Sequence, residues 1–146
     1  MEELQKAAKI AFSTEYAFVI KAQNFHWNVE STDFLEYHDL FGKIYEEVYA
    51  SIDDFAEKIR TTGAYVPASF TRFSMLTQIE DENNILSKEL MTAELLKDNE
   101  KIIKILKLVY DLAEREGKHG FSNFLAERMD AHEKHGWMLR SSLRGS

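Results

Sequence analysis

From Asn24 to Thr61 the chain reads NFHWNVESTDFLEYHDLFGKIYEEVYASIDDFAEKIRT. Phe34, Phe41, Ile44, Val48, Ile52, Phe55, Ala56 and Ile59 recur at the spacing that puts apolar side chains on one face of an α-helix. Arg60 suits the last turn of such a helix, and Gly63 is a stop signal beyond it. Upstream, Glu30-Ser31-Thr32-Asp33 forms a short connection. Ser31 or Thr32 is the expected helix cap, with Asp33 favourably placed near the positive helix end. A helix running from this connection to about Thr61 spans roughly 40 Å at 1.5 Å per residue. So long a helix needs partners along its length, because propensity alone stabilises it weakly.

The flanking sequence supplies those partners. A first helix is predicted from about Glu2 to Asn28, with Leu4, Ala7, Ala8, Ala11, Phe12, Phe18, Val19, Ala22 and Phe25 as a broad apolar stripe. Past Pro67, Ser69 to Thr77 reads as a short amphipathic helix carrying Phe70, Phe73, Met75 and Leu76. The polar stretch through Asn83-Asn84 reads as loop or frayed helix. A third long helix is expected from about Ser87 to Glu116, with Leu90, Leu95, Ile102, Ile103, Leu106, Val109, Leu112 and Ala113 inward. Gly117 and Gly120 then mark a break. The last helix is expected from about Ser122 to Leu143, burying Phe124, Leu125, Met129, Trp137 and Leu139. The sum is an all-α four-helix bundle, with a short helix in the long connection between helices two and three. It is expected to form one domain over 1–146, without internal repeats; the terminal Gly145-Ser146 is assigned no role.

Composition agrees. One proline and six glycines are few breakers for 146 residues, a length that can bury a sizeable core. No apolar run approaches the roughly 20 residues needed to cross a bilayer. Glu2, Glu3, Lys6 and Lys9 leave no apolar leader at the start. The absence of cysteine removes disulfides, zinc–thiolate sites and thiol catalysis, which fits a cytoplasmic protein. A formal charge of -7 favours cations and disfavours nonspecific attraction to nucleic acid, and neither end carries a block of lysines and arginines.

Four side chains in the opening stretch are metal ligands by type. His26 precedes the connection and His38 follows it, so the two can meet across a helical hairpin. Asp53 and Glu57 lie one helical turn apart on one face, where paired carboxylates can clamp a cation. The adjacent Asp54 leaves the choice of acid open. Imidazole with carboxylate suits borderline metals: iron, zinc or manganese. His38 and Asp53 are separated by roughly 22 Å along a continuous helix, although they differ by only about 60° in direction. The two pairs therefore cannot hold the same ion within one chain. Two such helices packed antiparallel about a two-fold axis would place one chain's histidines against the other's acids, giving two equivalent centres at a homodimer interface. The alternative is that the histidines are ordinary hydrogen-bonded residues and the acids solvated charges.

Gln23-Asn24-Phe25-His26-Trp27-Asn28-Val29, with Phe34 and Tyr37-His38, resembles the Dps family of mini-ferritins. So do Asp53-Asp54-Phe55-Ala56-Glu57-Lys58-Ile59-Arg60 with Gly63, and His132-Glu133-Lys134-His135-Gly136-Trp137-Met138-Leu139-Arg140. The resemblance covers nearly the whole chain. It implies a ferritin-like fold and a twelve-subunit hollow shell, with a ferroxidase centre for one iron or for di-iron at each dimer interface. His26 and His38 would come from one subunit and Asp53 and Glu57 from the other, with Trp27 beside the centre. Zinc or manganese would be substitutes for iron. The family's further acid, four residues after the second histidine, falls on Gly42, which has no ligand. That implies lower metal affinity or more water in the coordination shell; Asp39 and Glu46 are not replacements at the same point. A glycine also weakens a helix interior by about 1 kcal/mol relative to alanine, so Gly42 reflects either close packing or an altered site. Ion-access pores of the family would involve Glu114, Glu116, His119 and Asn123. His119 and Asn123 depart from its acids, while Glu114, Glu116 and Asp130 keep the vicinity negative. Glu46 and Glu47 are candidate interior acids for ferric mineral, or else part of a solvated face. Ordinary ferritin-like bundles instead hold di-iron inside one subunit through Glu-x-x-His motifs. The one Glu-x-x-His in the sequence, Glu116-Gly117-Lys118-His119, spans the predicted break.

The functional expectation is therefore capture of ferrous iron, its oxidation by hydrogen peroxide or dioxygen, and storage of the ferric product. The alternatives are a cage with impaired ferroxidase activity and a DNA-protecting protein. DNA binding is expected to be weak or absent, since the chain lacks the lysine-rich terminus that many relatives use.

Overall fold

A computed structural model describes residues 1–144. Gly145 and Ser146 lie outside the described residues. The elements are α1 (Glu2–Asn28), α2 (Phe34–Ala50), α3 (Ile52–Thr61), α4 (Phe70–Leu76), α5 (Lys88–Arg115) and α6 (His119–Leu143). α1 packs on α2, α3, α4 and α5, and α5 packs along α6. With α2 and α3 forming one bent rod, the result is a ferritin-like four-helix bundle. Its long connection carries the short α4.

The apolar stripes meet in one core. Leu4, Phe12, Phe18 and Phe25 of α1 are buried with Phe41, Ile44 and Val48 of α2 and Phe55 and Ile59 of α3. Leu95, Ile102, Leu106 and Val109 of α5 and Leu125 and Leu139 of α6 complete it. Burial of this kind contributes about 1.5–3 kcal/mol per large apolar side chain, which is what holds helices of this length. The long connection is tied to α1 by polar contacts. Lys21 Nζ donates to Glu80 O at 3.0 Å and Asn24 Nδ2 to Glu82 O at 3.0 Å. The Gln78 amide donates to Thr14 Oγ1 at 3.0 Å.

Several expectations are corrected. The second long helix is interrupted at Ser51, whose hydroxyl donates to Val48 O at 2.6 Å while its amide uses the same carbonyl at 3.0 Å. That local bonding competes with the regular ladder and bends the rod. Neither Ser31 nor Thr32 caps α2. Asp33 holds the cap position without a side-chain cap bond, and Ser31 Oγ accepts from the Asp33 amide at 3.1 Å. By contrast Ser87 and Ser69 do cap α5 and α4, accepting from Leu90 N and Arg72 N at 3.2 Å each. α6 begins at His119 rather than at Ser122, and Gly120 lies inside it. Gly117 alone makes the break. Its φ of +70° is the left-handed conformation glycine favours, and the Lys118 amide reaches back to Ala113 O at 2.8 Å. Trp137, Leu90 and Phe34 are exposed on the chain rather than inward, and on α4 Phe70 and Met75 are exposed. Phe73 is the residue that anchors α4, stacking on Tyr16 with ring centroids 4.7 Å apart.

Candidate metal centre

His26 sits in the last turn of α1 and His38 in the early turns of α2, so the short connection between those helices brings the two rings together. They stack with centroids 3.8 Å apart and planes 13° from parallel. Phe34 stacks on the outer side of His38 at 4.9 Å, and Tyr45 closes the His26 side at 5.3 Å. Each imidazole is bonded to the other residue's backbone. His26 Nδ1 donates to His38 O at 2.5 Å, and His38 Nδ1 donates to His26 O at 2.7 Å. A carbonyl can only accept, so Nδ1 carries the proton in both rings and the neutral lone pair lies on Nε2. This is the orientation device that metal-binding histidines use.

Of the two readings of Gly42, close packing is the one the geometry shows, and the neighbour is His26. A Cβ built there would lie 2.8 Å from both Cε1 and Nδ1 of the His26 ring. The ring occupies the space a side chain would need. Gly42 is thus the floor on which His26 rests.

Asp53 and Glu57 are exposed on α3, one turn apart, with Asp54 exposed beside them. Among the described residues, no group of three or more histidine, aspartate or glutamate side chains is placed to share an ion. The chain therefore brings together the two histidines, and separately the two acids, without joining the sets. Trp27 is 64% exposed, which removes a core role for it within one chain. At the corner between α5 and α6, Glu114 Oε2 lies 3.2 Å from His119 Nδ1, and Ser122 Oγ donates to Glu114 Oε1 at 2.6 Å. Glu116 pairs with the N-terminal ammonium, and Asn123 is exposed.

Sequence reasoning missed a second polar cluster, inside the bundle. Arg128 of α6 forms a bidentate pair with Glu47 of α2, Nη1 to Oε2 at 2.6 Å and Nη2 to Oε1 at 3.0 Å. Glu47 also accepts from His135 Nε2 at 2.7 Å. It is therefore committed to internal partners and is not a free interior acid. Glu15 of α1 is fully buried, 2.7 Å from His132 Nε2 and 3.6 Å from Arg128 Nε. Burial alone would raise both carboxyls, but His132 and Arg128 hold Glu15 below the ordinary carboxylate range, and His135 and Arg128 do the same for Glu47. The available signal was register: Arg128, His132 and His135 share the spacing of Leu125 and Leu139, both buried.

The fold has counterparts among known proteins. A family model for the ferritin-like domain matches residues 5–145. A low temperature-induced protein of Nostoc sp., itself uncharacterised, is 33% identical over 135 residues, covering 89% of this chain and 74% of that one. The DNA protection during starvation protein of Helicobacter pylori is 31% identical over 126 residues, covering 85% and 87%. The crystal structure of Dps from Vibrio cholerae, described as a member of a superfamily of ferritin-like diiron-carboxylate proteins, superposes with a TM-score of 0.93 at 24% identity, covering 98% and 90%. Fold and family model together define a ferritin-like protein. Within that class, the chain belongs to the Dps family.

Proposed function

We propose that the protein sequesters iron: it binds ferrous iron between subunits, oxidises it with hydrogen peroxide or dioxygen, and retains the ferric product in a homo-oligomeric shell, a dodecamer in the family's usual form. The reciprocal bonding of His26 and His38 carries this reading. It aims two Nε2 lone pairs, while among the described residues no third ligand stands beside them. Asp53 and Glu57 from a two-fold partner complete the set, being exposed for contact with a second chain. Iron is the substrate and not a resident cofactor. The imidazoles and carboxylates bind it, and their mixed nitrogen–oxygen set tolerates both its oxidation states. The family membership supports iron rather than zinc or manganese as the physiological ion. Anaerobic ferrous binding followed by oxidant addition tests the proposal. Unchanged oxidation rates in a protein carrying both His26→Ala and Asp53→Ala would sink it.

A second reading, a cage with weak ferroxidase activity, is favoured by one observation. Gly42 supplies no carboxylate, and the His26 ring covers its place. Oxidant consumed in proportion to iron, as opposed to iron binding alone, separates the two. DNA protection is the role in the Helicobacter pylori relative's name. The -7 charge argues for weak DNA binding at physiological salt here. A tight, salt-sensitive gel shift by metal-free protein would overturn that.

A further inference from the structure

Glu15 of α1 and His132 of α6 are both fully buried, and Glu15 Oε1 lies 2.7 Å from His132 Nε2. What lies between those atoms is set from the other side of the ring. Asn99 of α5 donates from Nδ2 to His132 O at 2.8 Å, which turns its Oδ1 toward His132 Nδ1 at 2.7 Å. An amide oxygen can only accept, so Nδ1 carries a proton. A neutral imidazole then presents a lone pair at Nε2, facing a carboxylate oxygen that also only accepts. In that state Glu15 Oε1 and His132 Nε2 are both buried without a hydrogen bond. Two acceptors this close repel, and a buried acceptor without a donor is unfavourable. A second proton on the ring satisfies both atoms at once.

The surrounding charges call for that proton. Arg128 commits Nη1 and Nη2 to Glu47, at 2.6 and 3.0 Å, and leaves Glu15 Oε2 only its Nε at 3.6 Å. One guanidinium thus faces carboxylates from both α1 and α2. Glu47 also reaches solvent, with 41% of its side chain exposed, whereas Glu15 has none exposed. His135 needs only a proton on Nε2 for its 2.7 Å contact with Glu47 Oε1. From α5, Asn99 is neutral, and Asp98 beside it is bonded to Lys21 at 2.8 Å. The Phe18 ring of α1 meets His132 edge-on at 5.8 Å. A buried carboxylate in such a setting needs a counter-charge of its own, and an imidazolium supplies it. Burial raises Glu15, but His132 and Arg128 outweigh it and keep the acid ionised, which leaves the proton on the imidazole.

We propose that His132 is an imidazolium in the folded protein, with its second proton held between Nε2 and Glu15 Oε1, and that this proton latches α6 to α1 and makes the bundle sensitive to alkali. The sign follows from proton counting. An ordinary unfolded histidine titrates near pH 6.5, so at pH 8 it carries one ring proton and the folded pair carries one more. Folding at that pH takes up a proton, and stability from the latch falls as pH rises. The inference stands on contacts within one chain and is independent of the iron reading.

Neutron diffraction from crystals of the full-length protein at about pD 8 reads the proton directly. The expected result is deuterium on both Nδ1 and Nε2 of His132 and none on Glu15. Deuterium on Nδ1 alone, or on a Glu15 oxygen beside a neutral ring, would overturn the proposal. Glu15→Gln separates charge from shape, because its amide can donate to a neutral Nε2. Crystals of that variant should show His132 deuterated at Nδ1 only, and a second deuteron persisting there would refute the part given to Glu15. In solution, the parent's thermal midpoint should fall by several degrees between about pH 7 and pH 9.5, and that of Glu15→Gln by less. Equal falls would contradict the latch. Should Glu15→Gln fail to fold, the parent crystals decide alone.

Discussion

At Gly42 a glycine reads in sequence as a lost carboxylate, and in three dimensions as the space filled by His26. The two readings predict different outcomes for Gly42→Ala. Helix propensity favours alanine by about 1 kcal/mol. Displacing the His26 ring breaks a hydrogen bond with His38, each such bond contributing about 0.5–1.5 kcal/mol. Stability should therefore change by less than about 1 kcal/mol, while anaerobic ferrous binding weakens several-fold; binding equal to the parent would refute the role given to Gly42. His26 and His38 were legible because the short connection brings any such pair across a hairpin. Glu15, Glu47 and Arg128 were not, because a charge in sequence reads as surface unless its partners are known. Their pairing has a pH signature. Both carboxyls are held below the ordinary range, so the stability they contribute is complete above an unfolded-state pKa of about 4.3 and is lost as pH falls through their lower folded values. Urea unfolding at pH 7 and near pH 3.5 should show Glu47→Gln less stable at neutrality but losing less on acidification. An equal acid loss in both proteins would contradict this.

At the scale of elements, the apolar periodicity located all four long helical segments, and α1 ran over its full predicted length. The bend at Ser51 was invisible because serine is tolerated within helices; only the bond of its hydroxyl to Val48 O shows that it interrupts the ladder here. The start of α6 was misplaced because two glycines were given equal weight, and only Gly117 has a positive φ. A Cβ at Gly117 would meet no atom within 4 Å, so its substitution isolates the backbone term. Gly117→Ala should cost about 1–2 kcal/mol and lower the Tm by several degrees in a thermal scan. Phe25, fully buried where α1 meets Phe41 of α2, tests the hairpin that carries the histidines. Phe25→Ala should cost about 3–5 kcal/mol in chemical denaturation.

For the whole molecule, Trp27 and the acids of α3 are exposed on the chain, and the proposed function assigns them and the histidine pair to a contact between subunits. No helix among the described residues is long and apolar enough to cross a membrane. Twelve chains of 17.0 kDa give about 204 kDa, which light scattering should find for the shell; a stable monomer would contradict both the shell and the shared centre. If the histidine and acid pairs share an ion, the spacing of His38 from Asp53 requires a second chain, which is how assembly entered the sequence reading as an expectation. Whether Gly42 leaves the centre fully active belongs to chemistry that spacing does not encode. The most direct measurement is the anomalous density of iron in a crystal soaked anaerobically in ferrous salt. The expected density lies against Nε2 of His26 and His38, with Asp53 and Glu57 of a second subunit on its other side. Iron bound elsewhere, with these four side chains left free of it, would contradict the shared centre.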